Sequence, residues 1–408
     1  MPFHVTIIGA GVAGLTAAHL LQQHNCSITL IEGGNRVGGR TFTRQHECHL
    51  EEQGAEFFHP AHHHRLRAAL EENGLPAQDL KDLATLWVSA GKGKLGDPVH
   101  PEIKALCRHI DTDVALINPH RWITPETAHL DRPFTEYLAK HPASDTVHSE
   151  FLAWTGTLTG ADPQEFSALG LLRDFKMFGT TEAALTAVEQ RIAGGTMQLA
   201  LSLAKPLMPQ IRFETRVVAV HEAVAGFEII THTDERISAD AVIITVPFNT
   251  LHQCQFPGLF PALAQASRNR HTNRSRKRWF DPETIFNPRI ATDPTSLSYL
   301  DVTASAGCII AADEISGDQA AAHLDLPIAP MASARSHSWQ DDPLAAGAWM
   351  TIRPGQALVL DDLQRWNIQN PRCQVAGGVV SPIWPGWIEG AIAAGTSAVT
   401  RLIQSTTH

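Results

Sequence analysis

His4-Val5-Thr6-Ile7-Ile8-Gly9-Ala10-Gly11-Val12-Ala13-Gly14 is the stretch that decides the fold. The β-branched run His4–Ile8 reads as a parallel strand covered on both faces, because such strands need not alternate apolar with polar. It feeds a Gly-x-Gly-x-x-Gly turn, and residues 15–24 after it read as a helix. In that setting Gly9 permits the tight turn, Gly11, next to Ala10, lets the backbone approach a pyrophosphate, and Gly14 allows close helix–strand packing. The phosphates meet the positive N-terminal end of the helix. A second strand, Ser27–Ile31, ends in Glu32, about 20 residues on, where an acid takes ribose hydroxyls. Glycines alone would serve equally in a turn without a ligand. Strand, turn, helix, strand and terminal acid in this order specify a dinucleotide site.

The chain around this unit has 408 residues. At about 150 residues per domain, that implies one very large domain or two interleaved ones. With 43% hydrophobic and 18% charged residues, the composition is that of an ordinary globular protein. No stretch approaches the ~20 apolar residues of a membrane helix. Against 42 Asp and Glu stand 32 Lys and Arg, a net charge of −10 that argues against general nucleic-acid binding. Cysteines at 26, 48, 107, 254, 308 and 373 are scattered, with no Cys-x-x-Cys pair, and read as reduced thiols of a cytoplasmic protein. Residues 1–10 carry no basic n-region and run directly into a strand, so a secretory signal is not expected. Oligomeric state leaves no mark.

Further segments follow in a specific order. Arg36-Val37-Gly38-Gly39-Arg40-Thr41 comes soon after the acid, in a loop where arginines can reach phosphate oxygens bidentately. Glu52-Gln53-Gly54-Ala55-Glu56-Phe57-Phe58 precedes a predicted helix over 62–73 closed by Gly74. Then come Ala193-Gly194-Gly195-Thr196-Met197, Arg216-Val217-Val218-Ala219-Val220 and Asp240-Ala241-Val242-Ile243-Ile244-Thr245-Val246-Pro247. Near the end stand Val375-Ala376-Gly377-Gly378 and Trp384-Pro385-Gly386-Trp387-Ile388-Glu389-Gly390-Ala391. In this order the segments resemble the flavin amine oxidases: monoamine oxidases, polyamine oxidases and lysine-specific histone demethylases.

The resemblance implies an α/β fold, with a Rossmann-like FAD-binding domain of the GR2 type interleaved with an α+β substrate domain. The FAD domain would span about 1–80, 195–255 and 355–408, and the substrate domain about 81–194 and 256–354. Bottom-up signs agree in part. Residues 213–220, 227–233 and 241–246 read as a three-stranded meander, and 81–194 carries mostly helical patterning, such as 166–178 and 181–192. By resemblance the cofactor contacts fall on Gly9, Ala10, Gly11, Gly14, Glu32, Arg36, Gly39, Arg40, Gly54, Ala55, Glu56, Phe57, Val217, Gly377, Gly378 and Ile388. Two departures stand out. Glu32-Gly33-Gly34 replaces the usual acid–alanine–arginine, and Gly378 stands where polyamine-type relatives have an acid.

Amine oxidation moves a hydride equivalent from the α-carbon to flavin, which supplies that electron chemistry. The protein must orient the C–H bond, keep the amine neutral and exclude water. Aromatic faces around the amine serve all three needs. In monoamine oxidases two aromatics cage the amine. Trp387 matches one cage position, and Trp349, in Gly347-Ala348-Trp349, matches the other; either could instead be plain core. Ala348 stands where monoamine oxidases carry the cysteine that binds flavin covalently, so FAD is expected to be non-covalent. His59 sits where polyamine oxidases place a tunnel histidine, and it pairs in this reading with Glu56, the alternative being a satisfied loop histidine. His62-His63-His64 points in different directions on a helix, so no metal site is expected.

Six of the basic residues, Arg268, Arg270, Arg274, Arg276, Lys277 and Arg278, fall within eleven positions. Arg274, Arg276 and Arg278 would share one strand face, read here as a solvated edge, with an anion site as the sharper alternative. The family carries in this region a lysine that holds a water beside the flavin. No lysine matches that frame well, Lys277 coming nearest. The expected function is FAD-dependent oxidation of a small amine or amino acid with O2 as acceptor. The alternatives are a flavin desaturase or dehydrogenase with another acceptor, and a partner-binding flavoprotein with vestigial turnover.

Overall fold

The computed structural model describes residues 2–47, 49–80, 84–89, 92–95, 99–187, 189–281, 289–301, 306–324 and 334–406. Its centre is an all-parallel five-stranded sheet, ordered Ile211–Arg212, Ser27–Ile31, His4–Ile8, Ala241–Ile244 and Cys373–Val375. Val5, Ile7, Leu30 and the whole of Ala241–Ile244 are buried, as strands covered on both faces require. Helix Val12–Leu21 follows the glycine turn, and helix Ile388–Thr406 lies against it. A Cβ on Gly14 would stand 2.0 Å from the Gly9 carbonyl oxygen, and one on Gly395 would stand 2.4 Å from that of Ala13. Both close approaches require glycine.

Two sequence readings need correction here. The meander is real, but its strands are Val217–Ala223, Gly226–Thr231 and Arg236–Ala239. The run beginning at Ala241 instead joins the parallel sheet beside His4–Ile8, because it is apolar on both faces. Residues 181–192 do not form one helix: Thr181–Leu185 is helical, and Gln190–Ile192 is a strand between Phe57–Phe58 and Ala77–Asp79.

The rest of the chain builds a seven-stranded sheet, in the order Arg335–Ser336, Ser275–Phe280, Ala306–Ala312, Ser296–Asp301, Arg289–Asp293, Ala84–Ser89 and Lys92–Leu95. Only the pair Arg289–Asp293 and Ala84–Ser89 runs parallel. The segment expected to be mostly helical therefore also contributes two strands. Its helices Pro101–Leu116, Asp145–Thr159 and Ala168–Phe178 meet over a core that includes Ile103, Leu106, Ile110, Phe151 and Phe175. Ser144 caps Asp145–Thr159 by accepting from the Val147 N–H, and Gly160 ends it at φ +54°.

The basic strand is not a solvated edge. Ser275–Phe280 pairs with Ala306–Ala312 along its length and with Arg335–Ser336 at its far end. Arg274 pairs with Glu165 and Glu314, Arg276 with Asp313 and Asp341, and Arg278 donates to the Asp313 carbonyl. The arginines neutralise the chain's own acids, which leaves the anion-site alternative without support. The five described cysteines are free thiols, and Cys48 lies outside the described residues. No helix among the described residues is long and apolar enough to cross a membrane.

Candidate active site

A single cavity of about 910 Å³ joins the glycine turn to the seven-stranded sheet. That volume suits a large ligand with a small one beside it. Gly9, Gly11, Glu32, Arg36, Gly39, Arg40, Gly54, Ala55, Glu56, Phe57, His59, Val217, Trp349, Gly378, Trp387 and Ile388 all line it. Three predicted residues do not. Ala10 is buried and spends its N–H on Glu32 Oε2 at 2.8 Å, Gly14 is covered by Gly9, and Gly377 packs under the Val246 carbonyl. Ala10 and Gly14 shape the turn, and Gly377 packs against the backbone of Thr245 and Val246.

At the turn, Glu32 Oε1 accepts the Gly34 N–H at 2.7 Å, so both carboxylate oxygens are held by backbone at the cavity wall. A Cβ on Gly11 would meet nothing within 4 Å, which leaves an open cradle at the helix N-terminus. Arg40 is buried, and burial lowers its pKa to about 10. Its one side-chain hydrogen bond among the described residues goes from Nη1 to the Ala348 carbonyl at 2.5 Å. Arg36 donates to the Gly39 carbonyl at 2.7 Å and lies 4.1 Å over the Phe42 ring. An open cradle beside a buried cation fits the anionic centre of a dinucleotide.

Both departures from the family pattern have local causes. A Cβ on Gly33 would stand 2.9 Å from Leu344 Cδ2, and the cavity gains Arg44 and Arg216 as further cations. A Cβ on Gly378 would stand 3.0 Å from Ala391 Cβ, so the start of the last helix excludes an acid there.

At the other end, Trp349 and Trp387 both reach the cavity. The Trp349 indole N–H donates to the Leu158 carbonyl at 2.8 Å. A Cβ on Gly160 would come 2.5 Å from Trp349 Cζ2, so the helix-ending glycine makes room for the indole. Trp387 packs edge-on against His59 and His63, with ring centroids 5.0 Å away in each case. His63 is buried with His59, His62 and His64 near it, and its pKa falls to about 2. The expected pairing of His59 with Glu56 does not form. His59 instead lies against Trp387 and Phe178, with Nε2 3.9 Å from Glu189 Oε1. The Phe58–Gln190 pairing explains this, since it ends the short ladder with His59 and Glu189 as the residues that flank it.

Glu56 turns instead to Lys277. Their charged atoms stand 2.6 Å apart, the Tyr299 hydroxyl donates to the same oxygen at 2.6 Å, and Arg191 lies 3.6 Å from the other. Lys277, a poor sequence match to the family's lysine, thus lines the cavity, with Nζ 5.5 Å from the centre of the Phe57 ring. Strand alternation carried the signal: arginines at 276 and 278 face the acids, so 277 faces the cavity. Tyr299, Glu189, Trp154 and Leu158 carried no sequence motif. Strand pairing and helix packing bring them to the site.

The family profile of flavin containing amine oxidoreductases matches residues 12–299. The chain is 24% identical to (S)-6-hydroxynicotine oxidase of Paenarthrobacter nicotinovorans, over 99% of this chain and 100% of that one. It is 24% identical to pseudooxynicotine dehydrogenase of Pseudomonas sp, over 96% of this chain and 84% of that one. Among solved structures, cyclohexylamine oxidase from Brevibacterium oxydans superposes with a TM-score of 0.84 at 21% identity, each chain fully covered. That likeness carries the fold.

Proposed function

This chain belongs to the flavin containing amine oxidoreductases and is an oxidoreductase, and from that premise we propose that it oxidises an amine or amino acid with a non-covalently held FAD. The observation that carries the reading is the single cavity: the turn, Glu32 and Arg40 line one part, and Trp349 and Trp387 line another. Flavin, when bound, accepts the hydride equivalent removed from the substrate's α-carbon.

The chain's own residues do the remaining work. Glu32 is the acceptor for ribose hydroxyls, and Arg36 and Arg40 with the Gly11 cradle hold the phosphates. The proposed division is into a cofactor part (1–80, 195–255, 355–408) and a substrate part (81–194, 256–354), the first holding the parallel sheet and the second all seven strands of the larger sheet. Trp349 and Trp387 present π surfaces to the amine, and the apolar wall of Trp154, Leu158, Leu185 and Leu297 disfavours the ammonium form once water leaves. His59 fixes the Trp387 ring. Lys277, held by Glu56, is the position for a water-binding lysine beside the flavin. Ala348 at the cavity wall offers no thiol for a covalent bond. Free thiols at all five described cysteines support a reducing, cytoplasmic setting.

Dioxygen is the proposed acceptor, giving hydrogen peroxide. Two relatives carry the name dehydrogenase, so the second reading is another electron acceptor in the same chemistry. Anaerobic mixing of the yellow holoprotein with amines and amino acids, followed by air, tests both. Bleaching and then rapid recovery with peroxide supports the oxidase. Bleaching with slow recovery supports the dehydrogenase, and no bleaching with any substrate overturns the proposal.

A further inference from the structure

Among the described residues lining the substrate wall, carboxylates outnumber lysines and arginines. Two carboxylates line it, Glu56 and Glu189, and one lysine, Lys277. Lys277 is committed to Glu56 at 2.6 Å, where Tyr299 and Arg191 join it. The arginines that line the cavity, Arg36, Arg40, Arg44 and Arg216, belong to the loop after Glu32 and to the start of the meander, which is the cofactor end. Among the described residues, the titratable group nearest the Glu189 carboxylate is His59, with Nε2 at 3.9 Å. Glu189 directly precedes Gln190, which pairs with Phe58, the residue before His59, and His59 in turn packs on Trp387. The neighbouring wall, including Trp154, Leu158, Leu185 and Leu297, is apolar.

We propose that Glu189 is the residue that selects the substrate: it receives the ammonium of an apolar amine that carries no carboxylate of its own. This rests on the amine-oxidising reading above and narrows it. An amino acid would bring its carboxylate to a wall that already holds Glu189 and, among the described residues lining it, has no cation beyond the Lys277 held by Glu56. An amine brings a single positive charge, which Glu189 matches beside the His59 that packs on Trp387. Burial, with Glu56 nearby, raises the Glu189 pKa to about 7, while Lys277 acts the other way. A bound ammonium reverses that penalty, so amine binding and ionisation of Glu189 support each other. Among the described residues, the charged and titratable groups around Glu189 are His59, Glu56 and Lys277, with Arg191 two positions further along the chain.

The test is rapid anaerobic mixing of the holoprotein with apolar amines and their α-carboxylated counterparts, 2-phenylethylamine against phenylalanine among them. Amines should bleach the wild-type flavin with a far lower Kd than the matched amino acids. Glu189→Gln should raise the amine Kd by about tenfold or more, through loss of a charge-assisted contact, and leave the limiting bleaching rate within roughly threefold. Glu189→Asp should recover part of the affinity. Binding of the neutral 2-phenylethanol, read from the flavin spectrum, should not change in Glu189→Gln, which separates charge recognition from a structural role. The wild-type amine Kd should also carry an ionisation near neutral pH that Glu189→Gln lacks. Amine bleaching with an unchanged Kd in Glu189→Gln overturns this inference alone, as does equal bleaching by phenylalanine. No bleaching by either class overturns the underlying amine reading as well.

Discussion

Lys277 Nζ and Glu56 Oε2 meet at 2.6 Å, both side chains nearly inaccessible to solvent, at the wall of the cavity that also holds Trp349 and Trp387. The pair joins the segment following the glycine-rich loop to a strand more than two hundred residues later. It therefore ties the segment before Phe57–Phe58 to the seven-stranded sheet. Lys277→Met should strand the Glu56 carboxylate with only Tyr299 and Arg191, and should lower stability by roughly 3–5 kcal/mol. The double change Glu56→Gln with Lys277→Met should recover most of that loss, since both charges go together. Denaturant unfolding of the four proteins of this cycle measures it. A single-variant loss that the double change does not relieve would contradict the pairing.

Asp174 offers a test in pH. Its Oδ1 is buried with no hydrogen-bond partner among the described residues, and burial lifts its pKa from 3.8 to about 7, against the pull of Arg173. A carboxyl with a raised folded-state pKa keeps its proton in the native state while the unfolded chain has lost it. Its contribution is thus most favourable below about 4 and declines as pH rises towards about 7. Asp174→Asn should be stabilised relative to wild type at pH 8 and should lose that advantage at pH 4. Unfolding curves at the two pH values decide it, and an advantage that grows on acidification would reverse the sign.

Glu32 is held by the Ala10 and Gly34 N–H groups and faces the cavity. Glu32→Ala should weaken FAD binding by about 1–3 kcal/mol, through loss of charge-assisted ribose bonds and of the turn's own anchor. Equilibrium reconstitution of apoprotein measures the change. Acid precipitation should leave the colour in solution, because position 348 offers no thiol. Colour that stays with the pellet would end the non-covalent reading.

How far the sequence was legible depended on where each signal lived. The turn at Gly9–Gly14, the acid at Glu32 and the strand His4–Ile8 form one local unit, so the parallel sheet and the cofactor end could be read in a single pass. Misread elements had local patterns that tertiary pairing overrode. Gln190–Ile192 follows a helical stretch, yet it pairs with Phe57–Phe58 and Ala77–Asp79. The arginines at 274, 276 and 278 suggested a solvated edge, but partners such as Glu165, Asp313 and Asp341 are distant in sequence. Likewise His59 meets Glu189 rather than Glu56 because the pairing of Phe58 with Gln190, which no local motif encodes, brings the two flanking residues close. The tryptophans were legible as motifs, whereas the apolar wall of Trp154, Leu158 and Leu297 emerges only when helix Asp145–Thr159 packs on the larger sheet.

Trp387 packs against His59 and His63 and lines the cavity. Trp387→Ala should slow flavin reduction by ~10²-fold with little loss of FAD, because orientation is what the indole supplies. Trp387→Phe should recover much of the rate. Stopped-flow bleaching of the two variants checks this, and equal rates for alanine and wild type would remove Trp387 from the site.

The most direct measurement compares anaerobic flavin bleaching by an apolar amine with bleaching by the same amine deuterated at its α-carbon. Breaking that C–H bond is the chemical step for which Trp349 and Trp387 would hold the substrate. The account predicts bleaching in both cases, with the deuterated amine slower by a primary isotope effect on the limiting rate. Bleaching absent with every amine tried, or present only with substrates that carry no amine, would contradict it.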